Sequence, residues 1–82
     1  MLKVEYSDDL LKTISKIKYE GVKEKVKKQI KKIVNKPKIG KPMKYARKGS
    51  REVYIGSYRL AYAYNKDKNK LILLDLYHKD KQ

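Results

Sequence analysis

Residues 51–64, REVYIGSYRLAYAY, decide the fold because they have the pattern of a β-hairpin. Side chains alternate with a period of two on both sides of Gly56 and Ser57. A two-residue turn that begins with glycine suits the type II′ geometry favoured in hairpins. Two antiparallel strands are therefore predicted. Their cross-strand pairs are Ile55–Tyr58, Tyr54–Arg59, Val53–Leu60, Glu52–Ala61 and Arg51–Tyr62.

The two faces of this predicted hairpin differ in chemistry. One face carries apolar and aromatic side chains, namely Val53, Ile55, Tyr58, Leu60, Tyr62 and Tyr64. The other carries a polar trio beside two small residues, namely Glu52, Tyr54 and Arg59 beside Ala61 and Ala63. Because alanine side chains are short, the polar trio has room for a ligand. Packing explains the first face, and the second is a candidate functional surface.

The composition predicts one small cytoplasmic domain. With 82 residues, the chain can build a single modest core, so residues 1–82 form one domain. The absence of cysteine excludes disulfides and thiolate metal sites, and it favours the cytoplasm. Residues 1–6 alternate like a strand rather than forming a signal peptide, and the longest aliphatic run, residues 71–74, is too short to cross a membrane.

The formal net charge of +14 predicts a polyanionic partner, because such a charge repels itself in a folded domain of this size. Nearly all basic residues are lysine, and arginine occurs only at Arg47, Arg51 and Arg59. An arginine guanidinium offers a fixed fork that matches phosphate, whereas lysine contributes diffuse charge. The lysine surplus alone is less informative, since a thermophilic or AT-rich genome would also produce it.

One strand and two helices are predicted before the hairpin. Residues 2–6 alternate as a short strand, and Ser7 follows as an N-cap with two aspartates in the first turn. Apolar residues at helical spacing predict a first helix from Asp8 to about Lys18. A second apolar stripe, residues 22–34, predicts a second helix that ends by Asn35 or Lys36, because the residue before a proline avoids helical backbone angles. Its lysine-rich outer face is either simply solvated or a surface that follows phosphates.

Residues 71–78, LILLDLYH, predict a last strand that is buried on both faces. If its register continues the hairpin, Leu71, Leu73 and Asp75 face the core, and Ile72, Leu74, Leu76 and His78 share the face of Arg59. A carboxylate on the core side is costly. Either Asp75 pairs with a buried tyrosine hydroxyl, or the preceding loop shifts the register by one residue.

These elements predict an α+β fold with the order β-α-α-β-β-β(-β), in which a short strand at Met43–Arg47 is one of those between the helices and the last strand. The two helices pack on one face of a small antiparallel sheet and leave the other face available.

Three segments of the chain resemble one known family. They are residues 35–44, NKPKIGKPMK, residues 53–62, VYIGSYRLAY, and residues 76–79, LYHK. They resemble three segments of the RelE/ParE superfamily of toxins. In the same order, these are the segment that leads from the second helix into the sheet, the hairpin R-x-R-x-G-x-Y-R-L-x-Y, and the end of the last strand. Tyr77 and His78 are similar to the Tyr-His pair of its YoeB-like branch.

The resemblance implies a ribosome-dependent endoribonuclease that cleaves mRNA without a metal or other cofactor and is neutralised by a small cognate antitoxin. It gives Arg59 the position of the arginine that contacts the scissile phosphate. It gives His78 the position of the general acid, and Lys44 that of a basic residue near the substrate. Glu52 and Tyr54 stand where the family's hairpin typically has basic residues, and Arg51 where an aromatic residue is common.

RNA cleavage without a metal needs a base for the 2′-hydroxyl, a cation for the charge on phosphorus and an acid for the 5′-oxygen. Glu52, Arg59 and His78 supply one group of each type and are the predicted catalytic residues. The predicted RNA- or phosphate-binding residues are Lys44, Arg47, Lys48, Arg51, Tyr54 and Lys79. A metal site is not expected, because the sequence has no cluster of acidic residues and histidines.

Each predicted role has a plainer alternative. Glu52 could form a surface ion pair, His78 could cap the strand end, and Tyr54 could cover the sheet rather than stack on a base. The expected partners are mRNA, the ribosome and an acidic, partly apolar antitoxin, and no membrane. Two other functions fit the same residues: a ParE-like inhibitor of DNA gyrase, and a basic nucleic-acid-binding module without enzymatic activity.

Overall fold

The computed structural model describes residues 2–43 and 49–81, which form an α+β fold in the predicted order. Its elements are β1 (Lys3–Tyr6), α1 (Asp8–Ser15), α2 (Glu20–Asn35), β2 (Lys41–Pro42), β3 (Arg51–Ile55), β4 (Tyr58–Asn65), β5 (Lys70–His78) and a final 3-10 turn (Lys79–Lys81). The strands form one sheet in the order β1-β5-β4-β3-β2. It is antiparallel except at its edge, where β1 runs parallel to β5. Residues 44–47 of the strand predicted at Met43–Arg47 lie outside the described residues, and the structure has a two-residue strand at Lys41–Pro42 just before them.

Local sequence signals set three of the helix ends. α1 begins after Ser7, whose Oγ accepts a hydrogen bond from the backbone N–H of Leu10 at 3.0 Å. It ends earlier than predicted, at Ser15, because the N–H of Lys16 closes onto the carbonyl of Thr13 in a tighter turn. α2 ends at Asn35, as Pro37 predicts. No helix in the described ranges is long and apolar enough to cross a membrane.

One side of the sheet, here called the helix face, packs against both helices and forms the core. The buried residues of this core are Leu10, Val26 and Ile33 from the helices, and Val53, Ile55, Leu60, Tyr62, Leu71, Leu73 and Leu76 from the sheet. The opposite side, here called the open face, has no helix packed on it in the described part of the chain. The prediction that the helices cover one face only is confirmed.

The hairpin has the predicted register in full. All five cross-strand pairs occur between β3 and β4, from Arg51 opposite Tyr62 to Ile55 opposite Tyr58. Gly56 has a φ of +59°, and Ser57 does not adopt a positive φ, as a type II′ turn requires. Glu52 and Arg59 therefore lie on the open face, as predicted.

The register of β5 differs from the prediction because β5 contains a β-bulge. Leu73 pairs with Tyr62 and Asp75 pairs with Ala61, so Leu74 has no partner residue on β4. Beyond the bulge, Asp75 lies on the open face, while Leu76 pairs with buried Leu60 on the helix face. The bulge avoids placing a carboxylate in the core.

The prediction that His78 and Leu76 share the face of Arg59 is therefore wrong. The prediction that Asp75 faces the core, made for a register without a shift, is wrong for the same reason. His78 pairs with Tyr58 on the helix face, and Tyr77 pairs with Arg59. The shift by one residue occurs inside the strand rather than in the loop before it.

Candidate functional site

The open face gathers five polar or aromatic side chains in two rows across β3, β4 and β5. One row is Tyr54, Arg59 and Tyr77, and the other is Glu52, Ala61 and Asp75. We call Glu52, Tyr54, Arg59, Asp75 and Tyr77 the open-face site. Because residues paired across neighbouring strands share a face, the register alone brings these side chains together.

Arg59 is held over an aromatic ring with part of its guanidinium available. Its Cζ lies 3.9 Å from the centroid of the Tyr54 ring, a cation–π contact. Its Nη1 donates to the carbonyls of Gly56, at 3.2 Å, and Tyr58, at 3.0 Å. Nε and Nη2 make no hydrogen bond within the described ranges. Those nitrogens can donate to a phosphate, the ligand that a guanidinium fork matches.

Glu52 is oriented by a tyrosine two strands away. The hydroxyl of Tyr77 donates to Oε2 of Glu52 at 2.8 Å. Ala61, which lies opposite Glu52, is fully buried, and its small side chain leaves space for this diagonal contact. Lys41 is the β2 neighbour of Glu52, yet Glu52 forms no ion pair with any described residue. Within these ranges the carboxylate is therefore not part of a surface ion pair.

His78 lies outside the open-face site. Its ring meets the Tyr58 ring edge-on, with 5.6 Å between centroids. Its Nδ1 lies 3.4 Å from Oδ2 of Asp80 and accepts a hydrogen bond from the Asp80 N–H at 3.3 Å. These contacts are those of a capping residue, the alternative foreseen from the sequence.

Arg51 also lies away from the open-face site, on the helix face opposite Tyr62. Its Nη1 donates to the carbonyls of Gly40, at 2.8 Å, and Lys38, at 3.3 Å. The guanidinium thereby fastens residues 36–40, here called the connector, to the start of β3.

Tyr62 fastens the same connector from within the core. Its hydroxyl donates to the Pro37 carbonyl at 2.8 Å and accepts from the Gly40 N–H at 2.8 Å. Burial raises the pKa of Tyr62, while the hydrogen bond from Gly40 and the charge of Arg51 act in the opposite direction. The last tyrosine of the hairpin motif is therefore a structural residue here.

The other predicted binding residues divide into two groups. Tyr54, on the open face, is 51% exposed, and Lys79 is exposed just after β5, where its N–H donates to the Ser57 carbonyl at 2.8 Å. Lys44, Arg47 and Lys48 lie outside the described residues.

Sequence reasoning missed Tyr77 and Asp75 as members of the site. The apolar pattern of residues 71–78 hid them, because both parities carry leucine or isoleucine. The available signal was the awkward core position of Asp75, which the bulge resolves.

Chemically, the site joins a carboxylate that can accept a proton to a cation that can stabilise negative charge. Glu52 and Arg59 supply these groups from adjacent strands. No group of three or more acidic or histidine side chains that could hold a metal ion occurs within residues 2–43 and 49–81. The arrangement suits proton transfer at an anionic substrate.

Many solved structures share the fold of this chain, and three of them illustrate the likeness. The YoeB/ParE toxin from Agrobacterium tumefaciens is 15% identical, with a TM-score of 0.82 over 94% of this chain and 98% of that one. A chain of the intact Escherichia coli RelBE toxin–antitoxin complex is 19% identical, with a TM-score of 0.79 over 95% of this chain and 96% of that one. The metal-bound toxin from Helicobacter pylori is 24% identical, with a TM-score of 0.77 over 99% of this chain and 98% of that one.

The fold is thus that of the RelE-like toxins. No curated protein sequence matches the chain significantly. The model of the family described as ParE toxin of type II toxin–antitoxin system, parDE, matches residues 3–82. The chain belongs to this family, and it is a toxin of a toxin–antitoxin module, within the RelE/ParE superfamily.

Proposed function

We propose that this toxin is a metal-independent endoribonuclease that cleaves mRNA on the ribosome. The observation that carries the proposal is that Glu52 and Arg59 lie on the open face as diagonal neighbours on adjacent strands, with Glu52 oriented by Tyr77. A carboxylate and a guanidinium on a sheet surface that no described helix covers, in a chain of net charge +14, suit a polyanionic substrate.

In this mechanism, Glu52 takes the proton of the 2′-hydroxyl, and the resulting 2′-oxygen attacks the adjacent phosphorus to form a 2′,3′-cyclic phosphate. The bond from phosphorus to the 5′-oxygen breaks, and the 5′-oxygen takes a proton from water. Nε and Nη2 of Arg59 donate to the phosphate oxygens and stabilise the charge that develops there. The ring of Tyr54 holds the Arg59 guanidinium through the cation–π contact. The same ring is half exposed, so that an RNA base can stack on it.

His78 does not lie where it could protonate the 5′-oxygen of a substrate bound at Glu52 and Arg59. His78, the acid predicted from the sequence, points to the helix face and contacts Tyr58 and Asp80. Lys79 is exposed just after β5. We propose that its ammonium group contacts RNA phosphates outside the open-face site.

We propose a small acidic antitoxin as the protein partner, because neutralising a chain of this charge favours a partner of opposite sign. The E. coli structure that shares the fold is a toxin–antitoxin complex.

Primer-extension mapping of mRNA in cells that express the toxin tests the nuclease. The wild type should produce discrete cleavage sites, and Arg59→Ala and Glu52→Gln should each remove them. Lys68→Ala is the matched control, because Lys68 is an exposed cation in the loop after β4 and lies outside the site. Absence of cleavage by the wild type, or unchanged cleavage in both site variants, would reject the proposal.

A second candidate, inhibition of DNA gyrase, is favoured by the family match to ParE toxins. Purified toxin would then trap covalent complexes between gyrase and DNA and leave mRNA intact. Binding of nucleic acid that weakens steeply with salt, without cleavage or gyrase trapping, would instead indicate a non-enzymatic basic module.

A further inference from the structure

The bulge in β5 leaves one residue without a partner residue on β4. Leu74 is the extra residue, and its carbonyl accepts a hydrogen bond from Oγ of Ser7. The N–H of Ser7 donates to the carbonyl of Leu73, the residue before the bulge, at 2.9 Å. Ser7 therefore contacts the two residues at which the register of β5 changes.

The same hydroxyl also caps the first helix. Oγ of Ser7 accepts from the N–H of Leu10 while it donates to Leu74. A hydroxyl can do both because it carries one donor and two acceptor positions. Ser7 is half-buried between α1 and β5, where water competes less with these bonds.

The bulge decides which side chains reach the open face. If pairing continued from Tyr62 opposite Leu73 without an extra residue, Asp75 would lie opposite Leu60 and Tyr77 opposite Tyr58. Both would then face the helices. Glu52 would lose the hydroxyl that orients it, and a carboxylate would enter the core.

We propose that Ser7 is a positioning residue, whose hydroxyl holds the β5 bulge and thereby brings Tyr77 to Glu52 on the open face. The consequence for cleavage rests on the proposed function, whereas the consequence for the strand register does not. The alternative is that Ser7 serves only as a helix N-cap.

Two substitutions separate these roles. Aspartate caps a helix about as well as serine, but an ionised carboxylate has no proton to donate to the Leu74 carbonyl. Ser7→Asp therefore keeps the cap and removes the bulge contact. Ser7→Thr keeps both functions and is the matched control.

Amide hydrogen exchange, measured by NMR on the full chain, reports separately on the two elements that the Ser7 hydroxyl contacts, α1 and β5. In Ser7→Asp, protection of the amides that pair residues 75–78 with β4 should fall about tenfold, as for loss of a part-buried hydrogen bond. The amides of α1 should stay protected, and cross-strand contacts between Tyr77 and Arg59 should weaken. Ser7→Thr should match the wild type at both places. Wild-type protection of residues 75–78 in Ser7→Asp would overturn the proposal.

Ser7→Ala keeps the test decisive if Ser7→Asp does not fold. It removes both bonds, so protection should fall in α1 and in residues 75–78 together. Loss of protection in α1 alone would overturn the positioning role and leave a helix cap.

Cleavage assays form a separate arm. Ser7→Asp should lower the cleavage rate by the same factor as Tyr77→Phe, and Ser7→Thr should not lower it. If the register responds as described but the wild-type protein cleaves no RNA, the positioning role stands and the proposed nuclease fails.

Discussion

The hydroxyl of Tyr77 on β5 donates a 2.8 Å hydrogen bond to Oε2 of Glu52 on β3, across the intervening strand β4. The contact orients the carboxylate through a hydroxyl rather than through an ammonium or guanidinium group. Glu52 lies diagonally opposite Arg59, whose guanidinium is held over the ring of its cross-strand partner Tyr54 in the same row.

Tyr77→Phe removes the hydroxyl that orients Glu52, so we expect the rate of mRNA cleavage to fall about tenfold, the effect of losing one hydrogen bond of roughly 1 kcal/mol. Tyr54→Phe is the matched control, because it removes a hydroxyl and keeps the ring under Arg59. Its rate should stay within about twofold of the wild type. Equal rates for Tyr77→Phe and the wild type would show that Tyr77 does not position the base.

Arg59→Ala removes the guanidinium donors that we propose bind the phosphate, and we expect the cleavage rate to fall by about 10²–10³-fold, as when a transition-state donor is deleted. Arg59→Lys should recover only part of the rate, because lysine cannot offer Nε and Nη2 in a fixed fork. Single-turnover rates on saturating substrate measure both. Full activity of Arg59→Lys would indicate that only charge is needed.

Gly40→Ala should destabilise the fold by about 1–3 kcal/mol through overpacking. A Cβ at position 40 would lie 2.6 Å from the Tyr62 hydroxyl and 3.0 Å from the Glu52 carbonyl oxygen. Gly21→Ala, in α2, is the control, because a Cβ there meets nothing within 4 Å. It should be neutral or stabilising by up to about 1 kcal/mol. Urea denaturation provides the comparison, and equal stabilities would contradict the close approach.

Tyr62→Phe should lower the free energy of unfolding by about 1–3 kcal/mol, because it leaves the Gly40 N–H and the Pro37 carbonyl without their partner. Tyr6→Phe is the control, since the Tyr6 side chain is 46% exposed. The cleavage sites of folded Tyr62→Phe should not change, because Tyr62 lies on the helix face. Altered sites would place Tyr62 in the substrate-binding machinery.

The pKa of Tyr62, raised by burial, gives a stability change at alkaline pH. Its neutral hydroxyl is favoured in the folded state, so its contribution is fully present below the unfolded pKa of about 10 and is lost as the pH rises through the folded value. An ultraviolet titration should show a late-ionising component that is absent in Tyr62→Phe. A titration identical in the two proteins would contradict the described burial.

The hairpin was predictable in full because its information is local. Gly56 and Ser57 define the turn, and alternation then places every residue of β3 and β4 on its face. The predicted register also paired Arg51 with Tyr62 and so placed Arg51 on the helix face. Its charge nevertheless led to the prediction that it binds phosphate. In the structure, its guanidinium donates to the carbonyls of Lys38 and Gly40 in the connector.

The register of β5 was not predictable from its own residues. It depends on a bulge whose extra carbonyl is bound by Ser7, a contact between residues 67 positions apart. Leucines at both parities conceal such a shift, since either register buries apolar side chains. The assignment of His78 to the open face failed for this reason, and Tyr77 was overlooked for the same one.

The most direct test of the central claim, that Glu52 and Arg59 act together on RNA, is the single-turnover cleavage rate of mRNA on programmed ribosomes. The wild type, Glu52→Gln, Arg59→Ala and the double variant form a complete cycle. We predict cleavage by the wild type, a large loss in each single variant, and a double variant little worse than either, because groups that act as one unit are not additive. An inactive wild type, or a double variant that cleaves as fast as the wild type, would contradict the account.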